Sequence, residues 1–82
     1  MATPSLNGMR AFEAAARLGS IKDAAEELHL TPSAVSRHIR TLEKTLGQEL
    51  FERGFRQVTP TMRGSYYARS LSEAFEAIWR AT

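Results

Sequence analysis

Cysteine is absent from this chain, so neither a disulfide framework nor a thiolate metal site can hold it together. The two histidines, His29 and His38, have no companion cluster at ligand spacing, and no metal site is expected. No apolar run approaches the length of a membrane span. The first residues, Met1-Ala2-Thr3-Pro4, carry neither a charged leader nor an apolar export core. A cytoplasmic protein without membrane attachment is therefore expected. Phosphate-cradling glycine loops and paired catalytic carboxylates are missing too. Ser36 and His38 form no nucleophilic site, because an i, i+2 pair on a helix diverges and no third group orients it. The expected catalytic residues and cofactors are none, and the chain does not read as an enzyme.

What is present suits one small domain: 82 residues, 43% of them hydrophobic and 24% charged, a globular rather than disordered composition. A core of this size is marginal, and dimerisation would support it. The net charge of +2 is unevenly spread. Residues 31–64 hold six basic side chains (Arg37, Arg40, Lys44, Arg53, Arg56, Arg63) against three acidic ones (Glu43, Glu49, Glu52). The flanking segments are neutral or slightly acidic. A positive excess in one segment is the electrostatic mark of a surface that meets phosphates.

Helix signals recur along the chain. Ser5 is a good N-cap for a first helix running to about Leu18, with Leu6, Met9, Phe12 and Ala16 as its apolar stripe and Arg10, Glu13 and Arg17 pointing outward. Gly8 has two readings, a close helix contact or a frayed first turn. Gly19 stops this helix, and Ser20 caps a second one, with Asp23 as capping-box partner and Ile21, Ala24, Ala25 and Leu28 facing inward. The paired alanines allow the next helix to cross closely. His29 and Leu30 form a tight connection, with His29 expected to pack at the turn. Thr31 then caps a third helix, with Pro32 at its first position, where a missing N–H is harmless. This helix continues to Leu46, and Gly47 ends it.

On the third helix Val35, Ile39, Leu42 and Leu46 share one face, while Ser33, Ser36, Arg37, Arg40 and Lys44 share the opposite one. Such a helix can dock on a core and enter a DNA major groove, which is what a helix-turn-helix requires. Leu50-Phe51-Glu52-Arg53 reads as a short strand, Gly54-Phe55-Arg56 as a turn and Gln57-Val58-Thr59 as a return strand, with Pro60 confining the second strand to an edge or its end. A helix-turn-helix followed by a ribbon carrying Arg53 and Arg56 is a winged layout, in which the wing reaches a minor groove or backbone. The fold class expected is mainly α: a winged helix-turn-helix of three helices and a two-stranded wing, followed by a long C-terminal helix.

The spelling is also distinctive. Leu6-Asn7-Gly8-Met9-Arg10-Ala11-Phe12 is followed by Gly19-Ser20-Ile21-Lys22-Asp23-Ala24-Ala25-Glu26-Glu27-Leu28. Further on come Ser36-Arg37-His38-Ile39-Arg40-Thr41-Leu42-Glu43 and Leu46-Gly47-Gln48-Glu49-Leu50-Phe51-Glu52-Arg53, and the pattern ends near Thr61 and Gly64. Over this span the chain resembles the N-terminal DNA-binding domain of LysR-type transcriptional regulators. The spellings Ala11-Phe12-Glu13-Ala14-Ala15-Ala16-Arg17 and Thr31-Pro32 look most like the glycine-cleavage and β-lactamase activator branch. The resemblance implies sequence-specific double-stranded DNA binding over residues 4–61, with the helix-turn-helix at 21–40 and the wing at 50–60. Thr31, Pro32, Ser33, Ser36 and Arg37 would contact bases and phosphates, Arg40 a phosphate, and Arg56 the minor groove from the wing. Arg40 could instead be a solvated partner of Glu43, and Arg53 could pair within the fold rather than contact DNA. Many relatives carry glutamine then proline where this chain has Pro32-Ser33, and leucine where it has Pro60; Met62-Arg63 replaces a common acidic-alanine pair. These departures bear on base preference and on the shape of the wing.

The last helix, residues 62–82, carries Tyr67, Leu71, Ala74 and Ile78 in one stripe and Ala68, Phe75 and Trp79 in a neighbouring one, a wide apolar surface for a small domain. One stripe could pack on the first helix. The resemblance implies a homodimer through this linker helix, with Tyr67, Leu71, Ala74, Phe75, Ile78 and Trp79 as dimerisation residues and an interrupted dyad as target. It also implies that an effector-binding domain, absent from this chain, follows the linker, so that a small-molecule effector acts only through it. A winged-helix protein-interaction module without DNA binding is the alternative function, and acidic or bulky residues on the third helix would be its sign.

Overall fold

The computed structural model describes residues 3–52 and 58–82. Four helices follow in chain order: α1 (Leu6–Leu18), α2 (Ile21–Leu28), α3 (Pro32–Leu46) and α4 (Met62–Arg80). Each begins at a hydroxyl cap. Ser5, Ser20, Thr31 and Thr61 accept from the backbone N–H three residues on, satisfying a donor that the helix itself cannot. Gly19 and Gly47 close α1 and α3 in the left-handed conformation.

The turn between α2 and α3 is closed by a residue that disfavours the required geometry. His29 adopts φ 59°, and the Leu30 N–H donates to the Ala25 carbonyl at 2.9 Å. This corrects the expectation that His29 packs at the turn: the side chain is exposed, and the backbone makes the turn.

α1 is the hub, packing on α2, α3 and α4, whereas among the described elements α4 comes into contact with neither α2 nor α3. A helix with three neighbours buries a wide arc, and that accounts for the first of two departures from the expected stripe. Glu13, expected to point outward, is 7% exposed, and Leu6, expected in the stripe, is exposed in the first turn. Phe12, fully buried, lies between Phe51 and Tyr67 with ring centroids 5.0 and 5.8 Å away, joining α1 to the segment after α3 and to α4. Gly8 serves a close crossing: a Cβ there would lie 3.2 Å from the Leu42 Cβ and 3.4 Å from the His38 carbonyl oxygen.

Of the two expected strands, the described residues hold a single antiparallel bridge, Phe51 with Pro60. The Glu52 N–H donates to the Thr59 carbonyl and the Thr61 N–H to that of Leu50, so Phe51 and Pro60 face each other at a non-hydrogen-bonded position. Proline is tolerated there because no ladder bond needs its missing N–H. The Phe51 N–H points the other way, to Glu43 Oε2. Arg53, the expected turn Gly54-Phe55-Arg56 and Gln57 lie outside the described residues.

α4 divides the residues expected at a dimer face between two surfaces. Leu71 is buried in the core, and Tyr67, Ala68 and Phe75 pack against it, so this side of the helix lies on its own domain. Ala74, Ile78 and Trp79 are exposed.

Candidate nucleic-acid interface

Small alanines set how α3 is presented. Ala24 and Ala25 of α2, with Ala11, Ala14 and Ala15 of α1, are almost completely buried beside Val35, Ile39 and Leu42. Short side chains let the helices approach closely, holding the apolar face of α3 down and its polar face out. Along that outer face Thr31, Pro32, Ser33, Arg37, Arg40 and Lys44 are exposed, and Ser36 is partly covered. Ser33, Ser36, Arg37, Arg40 and Lys44 fall within about 100° of helix circumference and span roughly 16 Å of axis. α3 and its N-cap Thr31 therefore hold six of the eight residues expected to contact DNA. The other two, Arg53 and Arg56, lie outside the described residues.

The electrostatics of this face follow from what its cations do not touch. Among the described residues the ion pairs are Arg17 with Glu13 and Glu27, and Arg80 with Glu76. None engages Arg37, Arg40 or Lys44. Glu43 is not the solvated partner of Arg40 that was one reading, because its carboxyl group is buried and accepts from the Leu50 and Phe51 amides at 2.8 and 3.1 Å. Among the described residues the guanidinium groups of Arg37 and Arg40 thus have no ion-pair partner. Thr31 uses an oxygen lone pair to cap Ala34 at 3.1 Å, which leaves its hydroxyl proton able to donate outward.

Two hollows flank this face, and both open to solvent. The larger, about 530 Å³, is bordered by the cations Arg37, Arg40 and Lys44, the acids Glu43 and Glu49, and Thr41, Gly47 and Gln48. The smaller, about 250 Å³, separates Ser36 and Arg40 from Phe51 and Glu52. Open hollows on either side of a helix face that carries Arg37, Arg40 and Lys44 suit an extended polyanion better than a small molecule. Among the described residues no cluster of His, Asp or Glu could hold a metal ion, and no helix is long and apolar enough to cross a membrane.

Polar residues behind the face tie the helices together, and these were not foreseen. Glu13 accepts from Arg17 Nε at 2.9 Å and from Ser72 Oγ of α4 at 2.7 Å, while Arg17 also grips Glu27 of α2. The Arg17 guanidinium is held above its ordinary pKa by Glu27 and then by Glu13, and Glu27 is held below its own by Arg17. Burial pushes the Tyr67 hydroxyl upward. The only sequence signal for this network was an acid flanked by buried alanines on α1. Glu43 had a similar one, lying beside Leu42 at the edge of the apolar arc of α3.

Comparison with known proteins agrees with this geometry. Residues 6–65 match the family described as "Bacterial regulatory helix-turn-helix protein, lysR family". The transcriptional regulator TrpI of Pseudomonas aeruginosa is 53% identical over 75 residues, covering 92% of this chain and 25% of that protein. The glycine cleavage system transcriptional activator of Escherichia coli is 44% identical over 79 residues, covering 96% of this chain and 26% of that protein. The chain thus spans about a quarter of the length of such relatives. Among solved structures, the DNA-binding domain of BenM in complex with benA site 1 DNA superposes with a TM-score of 0.85 at 30% identity, covering 94% of this chain and 86% of that one. Four helices in this order, with a match over most of their length, show that the chain belongs to the lysR family of bacterial regulatory helix-turn-helix proteins.

Proposed function

We propose that this chain is a sequence-specific double-stranded-DNA-binding domain of a transcriptional regulator, acting in the cytoplasm as a homodimer and carrying no enzymatic activity. The observation that carries this reading is the outer face of α3, where Arg37 and Arg40 stand exposed and unpaired among the described residues beside Ser33 and Ser36. Arg pairs bidentately with guanine, Ser donates or accepts, and Thr31 and Pro32 present carbon to a thymine methyl. In this reading Ser33, Ser36 and Arg37 read base edges, and Thr31 and Arg40 also meet phosphates. Arg56, with Arg53 beside it in sequence, supplies a wing that enters the minor groove. The DNA-binding unit is residues 4–61, and residues 62–82 are the linker.

The dimer reading is narrowed by the packing of α4. Tyr67 and Leu71 belong to the protomer core, so the paired face is assigned to Ala74, Ile78 and Trp79, with Phe75 at its edge. Ile78 and Trp79 are 62% and 77% exposed, a large apolar area to leave in water. Two-fold pairing makes the target an interrupted dyad. Any small-molecule effector acts through a domain outside this chain.

The test is duplex selection from a random pool, followed by a salt titration on the selected site. Phosphate neutralisation requires log K to fall linearly with log salt, with a slope near −0.9 per phosphate contact. Arg37→Ala should weaken the selected site by about 1–3 kcal/mol and relax the preference at one base position. Affinity insensitive to salt, or a pool that yields no consensus, would refute the reading and favour a protein partner for α3.

A further inference from the structure

We infer that Ser72 is a positioning residue: its hydrogen bond to Glu13 pins the direction of α4 on α1 and thereby sets the gap between the two half-sites that a dimer spans. Among the described elements α4 comes into contact with α1 alone. At its start, the Leu50 carbonyl accepts from the Thr61 N–H at 2.9 Å, and Gly64 abuts that carbonyl. Further along, Tyr67, Leu71 and Phe75 lie on the core, with the Tyr67 ring stacked on Phe12 at 5.8 Å. Apolar burial is non-directional, so these contacts hold α4 down more firmly than they aim it.

Ser72 supplies the aim. A serine inside a helix commonly turns its proton back to the carbonyl four residues earlier or out to water. Ser72 Oγ instead donates to Glu13 Oε2 at 2.7 Å, across 59 residues of sequence. Hydrogen bonds to a carboxylate are short and strong. The acceptor is itself held: Glu13 is 7% exposed, Arg17 Nε donates to the same Oε2 at 2.9 Å, and a second Arg17 nitrogen donates to Oε1 at 3.2 Å. Arg17 in turn donates to Glu27 Oε1 at 3.2 Å. The chain of Ser72, Glu13, Arg17 and Glu27 therefore ties α4 to α2, the first helix of the helix-turn-helix, which α4 does not contact. Ile78 and Trp79, assigned above to the paired face, lie about 9 to 11 Å of helix axis beyond Ser72. A swing of about 10° acting over roughly half the 38 Å long axis would move α3 by about 3 Å, comparable to the rise of one base pair. Two-fold symmetry repeats that displacement in the partner. Ser72 touches no DNA in this scheme, and it acts through the direction of α4.

The effect on the gap rests on the dimeric DNA-binding reading, whereas the direction of α4 does not. The chain has no cysteine, so Lys22→Cys and Ala77→Cys place two spin labels at exposed positions of α2 and α4. The label-to-label distance is read without DNA, diluted with unlabelled protein so that only distances within a protomer count. Ser72→Ala should widen the distance distribution at least roughly 1.5-fold, with helical circular dichroism retained. Ser72→Thr keeps the hydroxyl and should stay near the wild-type width. Ser72→Val has the shape of threonine without the hydroxyl and should widen the distribution as alanine does. In a second arm, duplexes carry the selected half-site twice, with the gap changed one base pair at a time. Wild type should lose roughly tenfold in affinity per step away from its preferred gap, and Ser72→Ala should flatten that loss at least roughly threefold. Affinity for a single half-site should be the same in both. Unchanged width in the alanine variant, equal widths for threonine and valine, or a gap profile as sharp in alanine as in wild type would overturn the positioning role. If Ser72→Ala does not fold, the threonine and valine pair decides. A wild type indifferent to the gap would refute both the dyad reading and the role of Ser72 in spacing, and the distance arm would then decide only whether Ser72 aims α4.

Discussion

One hydrogen atom at Gly64 decides how closely α4 can begin against the segment after α3. With a Cβ placed 1.9 Å from the Leu50 carbonyl oxygen, Gly64→Ala must shift backbone rather than a flexible side-chain tip. The expected loss is about 1–3 kcal/mol, seen as a lower midpoint in urea with little change in slope. His29 offers the opposite case. It holds φ 59° at a helix end where glycine is usual, so His29→Gly should stabilise the fold by up to about 1 kcal/mol in the same measurement. Glu27 supplies the pH dependence. Its carboxyl group is held below the ordinary range by Arg17, so the folded state binds protons less readily than the unfolded chain. The stabilisation is complete above the unfolded pKa and is lost as pH falls through the folded one. Glu27→Gln should therefore be slightly less stable than wild type near neutrality, with the difference vanishing in acid; both partners are largely exposed, so the effect is small. A difference that grows in acid would contradict the sign.

At the scale of elements, α4 combines two surfaces that its sequence pattern merges. Leu71→Ala should lower protomer stability by about 2–5 kcal/mol, because it opens a cavity in the core. Replacing Ile78 and Trp79 together by serine should leave helical circular dichroism intact and shift sedimentation toward the monomer. A dimer unaffected by that pair would remove these residues from the interface. The four helices, their caps and their ends were legible in the chain, because hydroxyl caps, terminal glycines and 3.6-residue periodicity are local signals. Ser5, Ser20, Thr31 and Thr61 all act where their sequence context places them. The ribbon was legible only in part. The Leu50 amide, which a longer strand pair would engage, is taken by Glu43, seven residues earlier, and that is tertiary information.

Over the whole molecule, position relative to α1 governs what each residue does. Because α1 touches every other helix, it buries Glu13, and the buried acid is satisfied by Arg17 of its own helix, which itself reaches Glu27 of α2, and by Ser72 of α4. Removing that acid should reach further than removing an exposed one. Glu13→Ala leaves a hole beside an unpaired Ser72 hydroxyl and is expected to loosen α4 against α1, detected as faster exchange of α4 amides with those of α2 and α3 little changed.

Sequence by itself determined the number, order and ends of the helices, and it assigned Ser33, Ser36, Arg37 and Arg40 to one face of α3. Each of these depends on interactions within a few residues and on the pitch of the helix. Tertiary structure alone decided which apolar stripe of α4 belongs to the core, that Glu13 and Glu43 lie inside, and that Gly64 must remain glycine. Those outcomes depend on how many neighbours a helix face meets. Periodicity reports where a face points, but not how many other elements crowd around it.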